Sequence, residues 1–116
     1  IGVVLSTSVK VPIPGLAISN GLRPGLAMLI KQLADEVGPD GHRVFGLMPG
    51  TVLTERIRFL HGRSDDPTAA RKDAEARVPL RRLGDPAEFG RVAAFLLSPA
   101  ASYVTGQIWH VNGGLL

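Results

Sequence analysis

The segment from Arg43 to Thr54, with the sequence RVFGLMPGTVLT, constrains the fold of this chain more than any other. It begins as a short apolar run typical of a buried strand, predicted at 43–48, and Pro49-Gly50 then interrupts it. Proline removes a donor from the sheet ladder, and glycine allows the backbone to turn. Ligands in open α/β sheets bind beyond the carboxyl ends of the strands, so the loop from Gly50 to Thr54 is the first candidate for a functional site.

Strand and helix patterns alternate on both sides of this segment. They predict a strand at 1–6, a helix at 19–37, a variable helical region at 55–78, a helix at 86–97 and a strand at 107–111. The first strand is rich in β-branched residues, which predicts burial on both faces. Ser19 and Asn20 are predicted N-caps, which leaves Pro24 at the edge of the tolerated first turn or at an early kink.

Two Asp-Pro pairs predict the starts of the later helices. Asp66-Pro67 favours a helix to about Arg77, and Asp85-Pro86 with Glu88 three residues later fits a capping box. The resulting order predicts an α/β chain with three parallel strands and flanking helices, forming one partial domain over 1–116. Its first strand offers an open apolar edge, so we expect upstream sequence or another chain beside it.

The composition disfavours several classes of function. The formal charge is only +3, and no aromatic residues are interleaved with the basic pairs Arg71-Lys72 and Arg81-Arg82, which argues against a nucleic-acid partner. The apolar runs are far shorter than the roughly 20 residues of a membrane span. The three histidines show no metal-ligand spacing. The absence of cysteine is compatible with the cytosol, so we expect a cytoplasmic protein, and the start without Met suggests a piece of a longer one.

Five motifs in order resemble the C-terminal half of the short-chain dehydrogenase/reductase family. They are Pro49-Gly50 with Thr54, the run PLRRLGDPAE at 79–88, FLLS at 95–98, YVTGQ at 103–107 and VNGG at 111–114. The resemblance implies half of a Rossmann-type doubly wound sheet and an oxidoreductase that acts on a small carbonyl or alcohol substrate with NAD or NADP. The glycine-rich loop that would hold the dinucleotide pyrophosphate is absent from these residues.

The same resemblance assigns the cofactor contacts to the loop after the second strand. Pro49 and Gly50 would shape the turn, the backbone of Val52 would address the nicotinamide carboxamide, and the Thr54 hydroxyl would bond to the cofactor. An alternative from the residues alone is an ordinary strand-to-helix turn in which Thr54 is an N-cap.

The implied catalytic centre is atypical. Alignment with the family places Ser6 at the position of its Ser, Ser19 at that of its Tyr and Arg23 at that of its Lys, so the motif is Ser-x-x-x-Arg in place of Tyr-x-x-x-Lys. Arg23 could still hydrogen-bond the ribose or a phosphate. Serine titrates far above a phenol and Arg keeps its proton, so the pair is a poor proton relay. The alternatives are a helix N-cap, a surface cation and a strand-end hydroxyl.

Three functions therefore remain open. The chain is part of an active oxidoreductase with an unusual centre, a catalytically silent subunit that serves assembly, or a truncation product. The resemblance implies a homo-oligomer, a dimer or tetramer, joined through the helix at 19–37 and the last helix and strand, or pairing with a missing N-terminal half. Phe45 replaces the Asn that the family often has, and Asn112 replaces Asp in the closing turn.

Overall fold

The computed structural model describes all 116 residues and contains one sheet of three parallel strands. The central strand β2 (Phe45–Pro49) pairs with β1 (Gly2–Val4) on one side and with β3 (Ile108–Val111) on the other. Hydrophobic runs of this kind form strands whose side chains alternate between the two faces of the sheet. The predicted α/β class with three parallel strands is confirmed.

Four helices accompany the sheet: α1 (Ala17–Val37), α2 (Glu55–Gly62), α3 (Pro67–Ala76) and α4 (Pro86–Leu97), with short 3-10 turns at Thr7–Val9 and Pro99–Ala101. They create two separate cores. The first joins buried side chains of α1 to the sheet through Leu5, Ala27, Ile30, Ala34 and Val44. The second joins α4 and the following turn to β2 through Phe45, Leu47, Leu96 and Ala101. The sheet is thus covered on both faces, as in a doubly wound fold.

The side chain of Arg43 fixes the carboxyl end of α4 against the start of β2. Its guanidinium donates hydrogen bonds to the carbonyl oxygens of Leu96 at 2.8 Å and Ser98 at 3.1 Å, and to two further carbonyls nearby. The last carbonyls of a helix lack partners inside it, and a cation there interacts favourably with the helix dipole. Arg43 therefore holds α4 in position over the sheet.

Several predicted boundaries and burial patterns differ from the structure. The first strand is shorter than 1–6, and it is not buried on both faces: Val4 is 52% exposed because β1 lies at an edge without a second neighbour. β2 starts at Phe45, two residues later than predicted, and includes Pro49. β3 starts at Ile108, one residue later than predicted. The variable region at 55–78 contains two helices, α2 and α3, on which no residue is buried.

The predicted N-caps of the first helix are wrong. The helix begins at Ala17 after Leu16, which makes no side-chain capping bond. The Asn20 amide instead accepts a hydrogen bond from the backbone N–H of Ile13 and donates one to its carbonyl, both at 2.9 Å. These two hydrogen bonds attach the preceding loop to α1. Pro24 lies inside the helix. No helix of the chain has both the length and the apolar character needed to cross a membrane.

Candidate functional site

The loop from residue 50 to residue 54, called the 50–54 loop below, leaves the sheet at the carboxyl end of β2. The Gly50 N–H donates to the Val111 carbonyl at 3.1 Å, and the Leu53 N–H donates to the Gly84 carbonyl at 2.8 Å. The Gly84 N–H donates back to Thr51 at 3.0 Å, which makes a short parallel bridge. The loop is therefore a fixed backbone edge held between β3 and the start of α4.

Gly50 is packed directly against the turn that closes β3. A β-carbon at this position would lie 2.8 Å from both Cα and Cβ of Asn112, closer than side chains approach backbone in practice. Asn112 is buried, and its Oδ1 accepts a hydrogen bond from the Gly114 N–H at 3.0 Å. The turn also requires glycine at 113, where φ is 67°. The Asn112 Nδ2 is buried without a partner, an orphan donor in this turn.

Two backbone donors of the 50–54 loop are free. The N–H groups of Thr51 and Val52 donate no hydrogen bond within the chain, whereas their neighbours Gly50 and Leu53 do. Thr54 Oγ1 accepts a hydrogen bond from the Ile57 N–H at 3.4 Å and so caps α2, as the N-cap alternative predicts. Its hydroxyl can still donate. Free amide donors on a rigid edge fit a ligand carbonyl oxygen, such as that of a carboxamide.

A cleft of about 320 Å³ lies between the 50–54 loop, the closing turn and α4. Two charged side chains that we did not assign to the site, Arg82 and Glu88, contribute to its lining. Arg82 binds the Glu88 carboxylate through two hydrogen bonds of 2.6 and 2.7 Å, and the same carboxylate accepts from the Asp85 N–H at 2.9 Å. The capping-box signature indicated Glu88, but nothing in the spacing indicated its Arg partner.

The ion pair between Arg82 and Glu88 shifts the pKa values of both side chains. Hydrogen bonds from the Arg82 side chain and then from the Asp85 backbone lower the pKa of Glu88 to about 2 from 4.5. The hydrogen bond to Glu88 raises the pKa of Arg82. Both side chains are therefore charged at neutral pH. They form part of one wall of the cleft, where their opposite charges cancel.

The stability of the protein is expected to depend on pH through Glu88. The folded pKa lies below the unfolded value, so the contribution is fully present above pH 4.5 and is lost as pH falls towards about 2. Glu88→Gln should lower the free energy of unfolding at pH 7 and bring it closer to the wild-type value near pH 2, measured by urea unfolding across this range. Asp73→Asn, an exposed carboxylate without an ion pair, is the control. If the free energy of unfolding of Glu88→Gln stays below the wild-type value by the same amount down to pH 2, this prediction is wrong.

The three predicted catalytic residues lie at the carboxyl end of β1. Ser6 Oγ accepts a hydrogen bond from the Ser8 N–H at 3.2 Å, and Ser19 Oγ lies 2.8 Å from Ser8 Oγ. The Arg23 guanidinium donates to the Val4 carbonyl. Ser8 is 4% exposed and connects the other two serines, although sequence analysis missed it. No spacing rule signals such a residue, because the link depends on how the loop folds back onto α1.

The residues predicted to be catalytic and those predicted to bind the cofactor border different clefts in this chain. Ser19 and Arg23 line a surface cleft of about 590 Å³ beside residues 15–18, whereas Gly50 and Val52 line the cleft next to α4. Because β1 and β2 are parallel neighbours, both groups lie at the same edge of the sheet. The arrangement can orient polar ligands through the hydroxyl group of Ser19 and the guanidinium group of Arg23.

Comparisons with known proteins place the whole chain in one group. Residues 2–116 match the family model described as Enoyl-(Acyl carrier protein) reductase. The chain is 38% identical over 101 residues to the 3-oxoacyl-(acyl-carrier-protein) reductase FabG of Vibrio cholerae, which covers 87% of this chain and 39% of that protein. It thus spans about two fifths of the length of this relative.

Two solved structures extend this similarity. One is YwfH, an NADPH-dependent reductase involved in bacilysin biosynthesis, with a TM-score of 0.92 and 26% identity, covering 100% of this chain and 46% of that one. The other is a short-chain oxidoreductase of Pseudomonas aeruginosa PAO1 described as containing an atypical catalytic center. It has a TM-score of 0.88 and 31% identity, and the match covers 100% of this chain and 47% of that one.

Proposed function

Since this chain belongs to the short-chain dehydrogenase/reductase family, we propose that it is the C-terminal part of an NAD(P)-dependent oxidoreductase acting on a carbonyl or alcohol group. The observation that carries this proposal is the rigid 50–54 loop, which presents the free N–H groups of Thr51 and Val52 at the carboxyl edge of the sheet. Ligands of such sheets bind at this edge. The NADPH dependence in the description of YwfH supports the cofactor class.

Each residue of the loop has a distinct part in this proposal. Pro49 and Gly50 set the course of the backbone, the Val52 N–H donates to the nicotinamide carboxamide, and the Thr54 hydroxyl bonds to the same ligand. Arg23 supplies positive charge for the ribose or a phosphate. The bound dinucleotide supplies the hydride. Its pyrophosphate requires a glycine-rich loop, which we assign to an N-terminal half that pairs with the open edge of β1.

The serines of the proposed centre orient the substrate. Ser6 and Ser19 hydrogen-bond the substrate oxygen, and Ser8 holds Ser19 in place through the 2.8 Å contact. The proton that balances the hydride comes from hydronium or a buffer acid in the solvent, because a serine hydroxyl is far too weak an acid at neutral pH. The atypical centre named for the Pseudomonas relative supports an oxidoreductase of this fold with unusual chemistry. The descriptions of the family model and of FabG make a 3-oxoacyl thioester the first substrate to test.

Titration of the complete protein with NADPH and NADH tests this function. Binding of at least one of them, with a Kd at or below about 1 mM, is expected because enzymes bind such ligands near working concentrations. Calorimetry measures it without requiring turnover. Absence of binding to both cofactors would contradict the proposal.

A catalytically silent subunit is the alternative, and the absence of the family's Tyr-x-x-x-Lys pair favours it. The proton relay of the family is missing, while α1 keeps an apolar face in which Ile18, Leu22 and Met28 are 79%, 69% and 74% exposed. On α4 and β3, Phe95, Leu97 and Trp109 are also exposed. These faces fit contacts in a dimer or tetramer. Such contacts are compatible with either function, so catalysis must be tested separately.

Ser19→Tyr combined with Arg23→Lys distinguishes the two functions. In an active Ser-x-x-x-Arg centre, the double change removes the Ser19–Ser8 contact and the guanidinium fork, so turnover should fall by roughly tenfold or more, in line with about 1.5 kcal/mol for one charge-assisted hydrogen bond. Steady-state rates with NADPH and a panel of carbonyl compounds measure it, and the two single variants show which change carries the loss. A large gain from near-zero activity would instead favour the silent subunit.

A further inference from the structure

The chain contains two asparagines, and each of them is followed by a glycine. One pair is Asn20-Gly21 in α1, and the other is Asn112-Gly113 in the turn that closes β3. In such a pair the backbone nitrogen of the glycine can attack the side-chain carboxamide, because glycine has no β-carbon to obstruct the approach. The sequence alone makes both pairs suited to this reaction, and the structure distinguishes them.

The carboxamide of Asn20 is held at both ends. Its Nδ2 donates a hydrogen bond to the Ile13 carbonyl and its Oδ1 accepts one from the Ile13 N–H, both at 2.9 Å. Gly21 lies inside α1, where the backbone N–H of each residue donates to the carbonyl four residues earlier. Attack by the Gly21 nitrogen therefore requires that hydrogen bonds of the helix and of Asn20 break first.

The carboxamide of Asn112 lacks these restraints. Its Nδ2 is buried without a hydrogen-bond partner, which is an unfavourable state for a polar group. The Gly113 N–H donates no hydrogen bond within the chain, so the attacking nitrogen is free. Departure of Nδ2 as ammonia would break no hydrogen bond to the protein, and it would remove an unsatisfied donor.

The turn also polarises the carbonyl that is attacked. The Gly114 N–H donates to Asn112 Oδ1 at 3.0 Å, and Oδ1 gains negative charge when the Gly113 nitrogen adds to Cγ. A backbone donor at this distance stabilises a developing oxyanion. Asn112 is only 9% exposed, but it lines the cleft of about 320 Å³ together with Gly113. Water and solvent bases reach the turn through this cleft.

We propose that Asn112 is a site of spontaneous covalent modification in the folded protein and that Asn20 is not. The Gly113 nitrogen forms a bond to Cγ of Asn112 and gives its proton to a base in the solvent. The bond from Cγ to Nδ2 breaks, ammonia leaves with a solvent proton, and a cyclic succinimide remains. Water then opens the ring at either carbonyl, which gives aspartate or isoaspartate at position 112. The reaction needs neither cofactor nor substrate, so it is independent of the proposed oxidoreductase function.

The two products differ in their effect on the 50–54 loop. Aspartate keeps the course of the main chain and can accept the same hydrogen bond from the Gly114 N–H. Isoaspartate inserts one more carbon into the main chain between residues 112 and 113. A β-carbon at Gly50 would already lie 2.8 Å from Cα of Asn112, so the lengthened turn has no room beside the loop. We therefore expect isoaspartate to displace the 50–54 loop and to destabilise the protein.

Ageing of the complete protein in a mildly alkaline buffer tests the proposal, with peptide mapping by mass spectrometry to locate each carboxamide that becomes a carboxylate. We expect Asn112 to react roughly tenfold or more faster than Asn20, because hydrogen bonds of Asn20 and Gly21 must break first and this raises the barrier. In urea that unfolds the protein the two rates should become similar, since both pairs are Asn-Gly. The unfolded protein is thus the control for the contribution of the fold.

The proposal is overturned if Asn112 reacts no faster than Asn20 in the folded protein, or exceeds it only by the factor found in urea. Asn112→Asp tests the effect of isoaspartate separately, because a carboxylate is a much poorer electrophile than a carboxamide. Ageing should lower the free energy of unfolding of the wild type and leave that of Asn112→Asp at its own initial value, measured by urea unfolding. Equal changes in the two proteins would overturn the effect assigned to isoaspartate.

Discussion

Gly50→Ala is expected to reduce the NADPH-dependent kcat/KM of the complete protein by about 10²-fold and to destabilise it by roughly 1–3 kcal/mol. The added β-carbon would lie 2.8 Å from Cα and Cβ of Asn112, so either the 50–54 loop or the closing turn must move. A displacement of about 1 Å is enough to misplace the Val52 N–H relative to a bound carboxamide. Cofactor titration and urea unfolding measure the two effects.

Gly84→Ala is the matched control for this change. Gly84 forms the bridge to the same loop, but its added β-carbon would find its nearest neighbour, Val52 Cγ2, at 3.5 Å, an ordinary contact. Neither glycine has a positive φ, so the comparison isolates steric overlap. If the Gly50→Ala protein binds the cofactor and reduces the substrate no worse than the Gly84→Ala protein does, the 50–54 loop is not the nicotinamide contact.

Arg23→Met is expected to lower kcat/KM by roughly 10- to 100-fold. Hydrogen bonds to charged groups contribute about 1.5–3 kcal/mol each, and methionine keeps much of the aliphatic length without the charge. The loss should appear largely in the affinity for the dinucleotide if Arg23 binds its ribose or phosphate. Steady-state kinetics at varied cofactor concentration separates KM from kcat.

The control for this second change is Arg91→Met, an exposed cation of α4 outside the ion pairs of the chain. Arg23 also donates to the Val4 carbonyl, so the variant must be shown to remain folded by its unfolding curve. A folded Arg23→Met protein with unchanged cofactor KM would assign Arg23 to fixing α1 against β1 and nothing more.

The sequence was most informative where local chemistry decides the structure. The apolar run before Pro49-Gly50 predicted the central strand, and the Asp85-Pro86 start with Glu88 predicted α4, whose capping bonds are present. The Asp66 carboxylate caps α3 by accepting hydrogen bonds from the N–H groups of Thr68 and Ala69, without a capping box. These elements allowed the fold class to be predicted, because each signal acts over a few residues.

The features that were missed depend on contacts between distant parts of the chain. Burial of β1 requires a second neighbouring strand, so the apolar pattern alone could not show that Val4 is exposed here. Ser19 and Asn20 have the composition of N-caps, but contacts with Ser8 and Ile13 occupy their side chains instead. The partnership of Arg82 with Glu88 likewise depends on the course of the loop before α4.

The buried Nδ2 of Asn112, which has no hydrogen-bond partner, is another feature that the sequence alone does not predict. Asp and Asn form the same turn bond through Oδ1, so they are interchangeable in a sequence pattern. The buried Nδ2 distinguishes them, because it finds no acceptor in the folded chain. Such a donor is typically costly to bury. It lies in the turn against which Gly50 packs.

Deuterium transfer in the complete protein tests most directly whether this chain forms the nicotinamide side of an oxidoreductase. NADPH and NADH labelled with deuterium on each face of the reduced nicotinamide ring are incubated with acetoacetyl-coenzyme A and simple ketones, and the products are analysed by mass spectrometry. We expect an alcohol with one deuterium on the former carbonyl carbon, from one cofactor face only, and a much lower yield with Gly50→Ala than with Gly84→Ala. Alcohol that carries no deuterium whichever face of NADPH and NADH is labelled, or no alcohol from any of these substrates, would show that the chain does not have this function.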